Sequence, residues 1–362
     1  MTVEKVEHEA HEKLRREAHE ELQHEAREKL QHEAREELQH EAREELRREA
    51  RPGGTAPRRV AVVFNPATGG EDAPSRADET RAALAAAGLD VLWLETTKED
   101  PGQGLTRRAV EEGVDLVMAS GGDGTVMACV TGLAGTEVPF AVLPGGTGNL
   151  LASNFDIPSD VEGALEVALR GDRRRIDVGA VGDDRFVVMS GIGFDAAMLR
   201  DANPKLKKRI GALAYVVSGF KHLRRRPTRF HVRADDRQPI VRTGQCVLVA
   251  NLGRLQGRLP VLPDAKPDDG LLDVAVLRTR TVGDWLKVAV RVLARRRRDD
   301  RQMETFRIRR VEVRCDRPQP IERDGDPAGP TDRLVAEVVP SALTLCVPAA
   351  TEARASPERS KR

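Results

Sequence analysis

Cysteine is scarce in this chain, and its spacing rules out two classes of site. The 362 residues hold four, Cys129, Cys246, Cys315 and Cys346, with no Cys-x-x-Cys pair among them. That argues against a disulfide frame or a thiolate zinc site and predicts buried free thiols in a reducing cytosol. Long apolar runs are missing too. No stretch approaches the roughly 18 apolar residues of a membrane span, and the first residues carry no apolar signal-peptide core. The expectation is a soluble, cytoplasmic protein. Net charge is the third absence: 59 Lys+Arg against 58 Asp+Glu leave +1, which argues against bulk nucleic-acid binding. That average conceals an asymmetry, because residues 1–51 carry 16 Asp/Glu and 11 Lys/Arg, contribute −5 and leave +6 to the rest.

Residues 7–50 are an internal repeat of eight residues. Ala10, Ala18, Ala26, Ala34, Ala42 and Ala50 alternate with Leu14, Leu22, Leu30, Leu38 and Leu46, every fourth residue. Strong helix formers and i,i+4 pairs such as Glu9/Lys13 and Glu44/Arg48 predict a long charged helix over 1–51. A four-residue spacing overshoots a full turn by about 40° per step. The apolar line therefore winds round the helix and suits an isolated helix better than a coiled coil. Six of the eight histidines lie here and read as solvated positions. Residues 52–57, Pro-Gly-Gly-Thr-Ala-Pro, are a linker. From there β-prone and helical segments alternate: strands 59–64, 90–94, 114–119 and 139–143, with helices about 75–87, 104–112, after 125 and about 159–170. The alternation of Ile176, Val178, Val181, Phe186 and Val188 with polar residues marks an antiparallel strand and a change of domain. Later β-prone pieces (228–234, 240–251, 271–278, 305–314) predict a sandwich or barrel-like sheet, followed by strands in 334–347. Residues 349–362 read as a flexible tail.

Three of the predicted strands end in loops nearly free of side chains. Arg59–Phe64 runs into Asn65-Pro66-Ala67-Thr68-Gly69-Gly70, Val114–Ser120 into Gly121-Gly122-Asp123-Gly124-Thr125, and Phe140–Leu143 into Pro144-Gly145-Gly146-Thr147-Gly148-Asn149. Glycines there let backbone N–H groups approach a phosphate, and a helix starting at Thr125 would turn its positive end to the same anion. In an open parallel sheet such loops share one edge, where ligands bind. Asp123 carries the chemistry of the second loop, since a carboxylate beside a triphosphate repels it unless it holds Mg2+ or a proton in transit.

The trio NPATGG, GGDGT and PGGTGN resembles the diacylglycerol kinase catalytic domain of soluble bacterial lipid kinases and sphingosine kinases. The likeness extends over about residues 58–348, through Leu262–Asp273 and the Asp-Gly-Asp of 324–326. It implies a two-domain α/β fold: a Rossmann-like nucleotide domain (58–174 with 327–348) and a β-rich sandwich domain (175–326). It implies ATP bound by Asn65, Pro66, Ala67, Thr68, Gly69, Thr97, Gly121, Gly122, Asp123, Gly124, Thr125 and Thr147, with Thr96 the alternative to Thr97. It implies Mg2+ on Asp269 and the carbonyls of Lys266 and Leu271, with Asp268 and Asp273 as competing ligands and an ordinary Asp-Gly hairpin as the plain alternative. Asp326 takes the place of the family's glutamate as base, one methylene shorter. Met127-Ala128 stands where Asn-Glu is common, and Leu150 where many relatives have Asp.

The implied activity is ATP-dependent phosphorylation of a lipid alcohol at a cleft between the domains. Expected partners are the lipid, an anionic membrane surface, a second copy of the chain, and no nucleic acid. The basic clusters Lys205–Arg209, Lys221–Arg229 and Arg295–Arg298 each read singly as a solvated face. Together, in the half that receives the lipid, they predict attraction to the bilayer at about 1 kcal/mol per residue close to it. Ile210–Phe220 reads as core stripe or acyl-chain mouth. Two rivals stand beside this reading. An NAD kinase-like enzyme shares GGDGT but leaves the motifs at 262–273 and 324–326 unexplained, and an inactive nucleotide-binding scaffold would use the long helix to recruit a partner.

Overall fold

The structure, a computed structural model, describes residues 57–349 apart from 69, 71, 72, 147, 194–226, 256–258, 280–282, 285–287, 289–301 and 325. The repeat of residues 1–51, the linker up to residue 56, the apolar stretch 210–220 and the tail beyond 349 lie outside the described residues, as do the basic clusters except Arg229. The described residues from 57 onward form one compact unit.

Its first half alternates strand and helix. Strands β1 (Arg59–Phe64), β2 (Asp90–Glu95), β3 (Leu116–Gly121) and β4 (Phe140–Pro144) pair in parallel in the order β2-β1-β3-β4. Helices α1 (Ala73–Ala86), α2 (Gln103–Glu111), α3 (Asp123–Leu133), α4 (Leu150–Asn154) and α5 (Val161–Arg170) connect and follow them. Every residue of β3 and β4 is buried. A parallel sheet covered on both faces accounts for strands that read as unbroken apolar runs. A side-chain cap sets the start of α5, where the Asp160 carboxylate accepts the Gly163 N–H (2.8 Å), a contact that contributes about 1 kcal/mol. Ahead of α2, whose N-cap Gly102 has no side chain to offer, Asp100 two residues earlier accepts the N–H groups of Gly102, Gly104 and Leu105 (2.9, 3.1 and 2.9 Å).

The second half is antiparallel. It comprises β5 (Asp172–Val181), β6 (Asp184–Phe186), β7 (Met189–Ile192), β8 (Thr228–Ala234), β9 (Ile240–Gly244), β10 (Cys246–Ala250), β11 (Arg254–Leu255), β12 (Leu259–Pro260), β13 (Leu272–Leu277), β14 (Met303–Ile308), β15 (Arg310–Arg323) and β16 (Asp326–Val347). Along the main sheet the order is β14-β13-β10-β7-β15-β16-β4-β3-β1-β2, so the long β16 joins both halves. Its first part pairs with β15, and its last part pairs with β5 and, at Leu345↔Phe140, with β4. Strand β10 shows why two cores coexist: Cys246, Leu248 and Ala250 enter one cluster, and Val247 and Val249 the other. Side chains alternate faces along a strand, and here both faces are covered.

Local boundaries differ from the sequence expectation where turns intervene. The stretch 176–189 is a hairpin, β5 to β6, turned at Gly182 with φ 61°, and the piece 240–251 splits into β9 and β10. Cys129, Cys246 and Cys346 are buried free thiols, whereas Cys315 is only half-buried. Burial pushes the Cys129 thiol up to about 12, which makes it unreactive.

Candidate functional site

The three glycine loops meet at the carboxyl ends of β1, β3 and β4. Strand pairing brings their starting points side by side: the Asn65 N–H donates to the Ser120 carbonyl (2.9 Å), and the Gly145 N–H to the Gly121 carbonyl (3.0 Å). At Gly146 only hydrogen fits between the loops, because a Cβ there would lie 2.7 Å from the Gly122 Cα; one on Gly145 would touch the Thr68 Cγ2 at 3.4 Å. The Asn65 side chain organises its own loop, accepting the Ala67 N–H on Oδ1 (3.0 Å) and donating from Nδ2 to Thr125 Oγ1 (3.0 Å). That bond ties the first loop to the second. Pro66 and Ala67 are exposed on the rim, and Thr68 is half-buried.

Helix α3 begins at Asp123, one residue after β3 ends, and no side chain caps it at Gly122. The leading N–H groups of such a helix lack intrahelical partners and face whatever occupies the loop. Asp123 sits in this first turn, where the helix dipole favours a carboxylate. Its Oδ1 accepts the Leu150 N–H at 2.6 Å, so it also joins the second loop to α4 behind the third. Sequence reasoning assigned Asp123 to chemistry and missed this bridging contact. Thr125 is buried and shares its hydroxyl with Asn65. Thr97 is exposed, and its hydroxyl accepts the Asp100 N–H (3.1 Å) in the turn before α2. None of its recorded contacts reaches the three loops. Gly69 and Thr147 lie outside the described residues, as does the side chain of Asp326.

A shallow cleft opens beside Asp123 and is lined by Val126, Met127, Leu150, Leu151, Val187, Val188 and Asp324. Asp324 is the residue that sequence reasoning ranked behind Asp326. It lies between β15 and β16 with φ 44°, in a hairpin where Arg323 pairs with Asp326. Its carboxylate receives three consecutive backbone N–H groups: Val187 on Oδ2 (2.8 Å), Val188 on Oδ1 (2.9 Å) and Met189 on Oδ1 (2.6 Å). Burial pushes this carboxyl up from 3.8 to about 7; the three N–H donors oppose the shift, and the charge of Asp123 adds to it. With both oxygens engaged, Asp324 anchors the hairpin to β7 and the residues before it. The Asp-Gly dipeptide was its visible signal. A second buried clamp left no such trace in the sequence. Asp177 accepts the Gly270 N–H on Oδ2 and the Ser341 N–H on Oδ1, both at 2.7 Å.

The motif at 262–273 forms a turn before β13. Asp269 accepts the Leu271 N–H on Oδ1 (3.1 Å), and its Oδ2 is held by the Arg307 guanidinium. Asp268 pairs with Arg174 at 2.6 Å. Asp273 is buried, and that burial pushes its carboxyl up to about 6, against the pull of Arg307. Mg2+ demands near-ideal octahedral oxygen donors at about 2.1 Å. The set of Lys266, Asp269 and Leu271 does not fit such an ion as arranged, because its one side-chain donor already faces a guanidinium. Among the described residues, no group of three or more His, Cys, Asp or Glu is placed to hold a metal.

Residues 59–181 match the family described as the diacylglycerol kinase catalytic domain, and residues 187–347 match the YegS C-terminal NAD kinase beta sandwich-like domain. A diacylglycerol kinase of Mycobacterium tuberculosis is 29% identical over 299 residues, 80% of this chain and 95% of that protein. A protein of Chromohalobacter salexigens named "Probable lipid kinase YegS-like" is 32% identical over 249 residues, 67% of this chain and 79% of its own length. The crystal structure of a diacylglycerol kinase from Bacillus anthracis shares the fold, with a TM-score of 0.63 at 21% identity over 81% of this chain and 98% of that one. Two matched domains spanning the glycine loops, the cleft and the long returning strand establish that the chain belongs to the diacylglycerol kinase catalytic-domain family.

Proposed function

We propose that the protein transfers the γ-phosphoryl group of ATP to the hydroxyl of a lipid alcohol, diacylglycerol or a close relative. The observation that carries this is the meeting of three glycine loops and the uncapped start of α3 beside a cleft with carboxylates on its wall. Glycine N–H groups and the helix end bind phosphate oxygens without crowding them. Phosphoryl transfer needs little covalent help from a protein; it needs alignment and charge neutralisation. ATP enters as its Mg2+ complex in this reading, and Asp123 is the residue at the loop that faces it.

The acceptor hydroxyl loses its proton as its oxygen bonds to phosphorus and ADP departs. Asp326 is assigned to take that proton. Asp324 keeps its two oxygens on backbone N–H groups and sets the hairpin that carries Asp326. We further propose that the protein meets its lipid at an anionic membrane surface, on the strength of the basic clusters Lys205–Arg209, Lys221–Arg229 and Arg295–Arg298 in its sequence. Radiolabelled ATP offered with vesicles carrying a panel of lipid alcohols tests the reading. Label in an organic-extractable phospholipid is the expected result, and label in NADP instead, or in no product, would refute it.

A further inference from the structure

We propose that Arg307 takes the place of a divalent ion at the 263–273 turn, so that guanidinium groups rather than a metal close this loop. The placement follows from sheet register. In the antiparallel pair β13–β14, Arg307 stands directly opposite Asp273, so the backbone delivers its side chain to the loop's acidic end. From there it holds Asp269 Oδ2, and its Nε lies 3.8 Å from Asp273 Oδ1. Opposite charges across a ladder are mutually stabilising, and here one partner is buried.

Asp268, in the same turn, is satisfied in the same way. Arg174, on β5, donates to Asp268 Oδ2 from Nη2 (2.6 Å) and from Nε (3.2 Å). The Gly270 N–H is bound by Asp177, and the Leu271 N–H by Asp269 itself. Two strands thus pin the loop with two planar cations, Arg174 giving two donors to one oxygen of Asp268 and Arg307 lying between Asp269 and Asp273. An ion bonded to Asp269 at about 2.1 Å would meet the Arg307 guanidinium as an uncompensated like charge. Either cation can neutralise this turn, but they compete for one carboxylate.

The experiment uses the full chain without nucleotide, so it stands whether or not the lipid kinase reading holds. Thermal unfolding is followed in EDTA and in millimolar MgCl2, and Mn2+ binding is read by electron paramagnetic resonance. Wild-type protein is expected to unfold at the same temperature in both media, within about 1 °C, and to bind no Mn2+ stoichiometrically. Arg307→Met should unfold earlier in EDTA, recover several degrees with MgCl2 and acquire one Mn2+ site. Arg307→Lys keeps a cation and should stay insensitive to metal. Stoichiometric Mn2+ binding by the wild type, lost in Asp269→Asn, would overturn the proposal. So would a folded Arg307→Met that neither binds Mn2+ nor responds to Mg2+. If that variant fails to fold, the wild-type and Arg307→Lys measurements still decide.

Discussion

Replacing Asp324 by Asn sets two forces on one carboxylate against each other. Burial disfavours the charge, while three N–H donors favour it, and burial is the larger. Because the folded-state value is raised, to about 7 from 3.8, the group's stabilising contribution is complete below pH 4 and is lost as pH rises through 7. Between pH 5 and pH 8 that loss amounts to about 2–3 kcal/mol. Asn tolerates the φ of 44° at this hairpin, so the backbone is unchanged. Its single oxygen can serve Val188 and Met189, but its NH2 then faces the Val187 N–H that now bonds to Oδ2 at 2.8 Å. One buried donor left unsatisfied costs about 1–3 kcal/mol. At pH 5 the Asn variant should therefore be less stable by that amount. At pH 8 the deficit should have shrunk to near zero, since the wild type alone pays for a buried charge there. Urea unfolding followed by tryptophan fluorescence at pH 5, 6, 7 and 8 measures the difference, in which other titrating groups cancel. A deficit that widens with pH would show that the N–H donors, not burial, govern Asp324, and would refute the reasoning.

Three further outcomes are expected. Asp123→Asn keeps an oxygen for the Leu150 N–H while removing the charge, so lipid phosphorylation should fall by at least about 10²-fold with an unchanged unfolding midpoint; wild-type turnover would remove Asp123 from the chemistry. Asp326→Asn should lower kcat by about 10²–10⁴ with KM for ATP unaltered, and Asp326→Glu should retain measurable activity, both checked by steady-state kinetics. Gly146→Ala places a methyl 2.7 Å from the Gly122 Cα. It should spread the second and third loops and raise KM for ATP about tenfold, with unchanged KM in nucleotide titrations as the contrary result.

The parallel half of the fold was readable because its signals are local. Strands β1, β3 and β4 are apolar runs that stop at turn residues, Asn65-Pro66 after the first and glycines at Gly121-Gly122 and Gly145-Gly146 for the others. The glycine loops were legible for the same reason: a position that cannot carry a Cβ shows itself as Gly wherever the chain makes such a contact. What escaped the sequence was set by register. Nothing near Arg307 in the chain announces Asp273; only the β13–β14 pairing brings together two residues 34 positions apart. Asp177 is equally silent, since its two donors come from Gly270 and Ser341.

Asp324 and Asp326 show how far a motif can be trusted. In an extended strand, residues two apart share a face, and by that rule both carboxylates would address the cleft alike. The hairpin breaks the rule. Asp324 is at the turn with positive φ, whereas Asp326 opens β16 opposite Arg323. The period of two therefore does not run through this pair, and the two carboxylates are free to take different roles. The first is bound by the amides of Val187–Met189 and holds the two strands where β7 needs them. That contact, made by a residue 135 positions away from Met189, is what converts a short acidic motif into a fixed wall of the cleft.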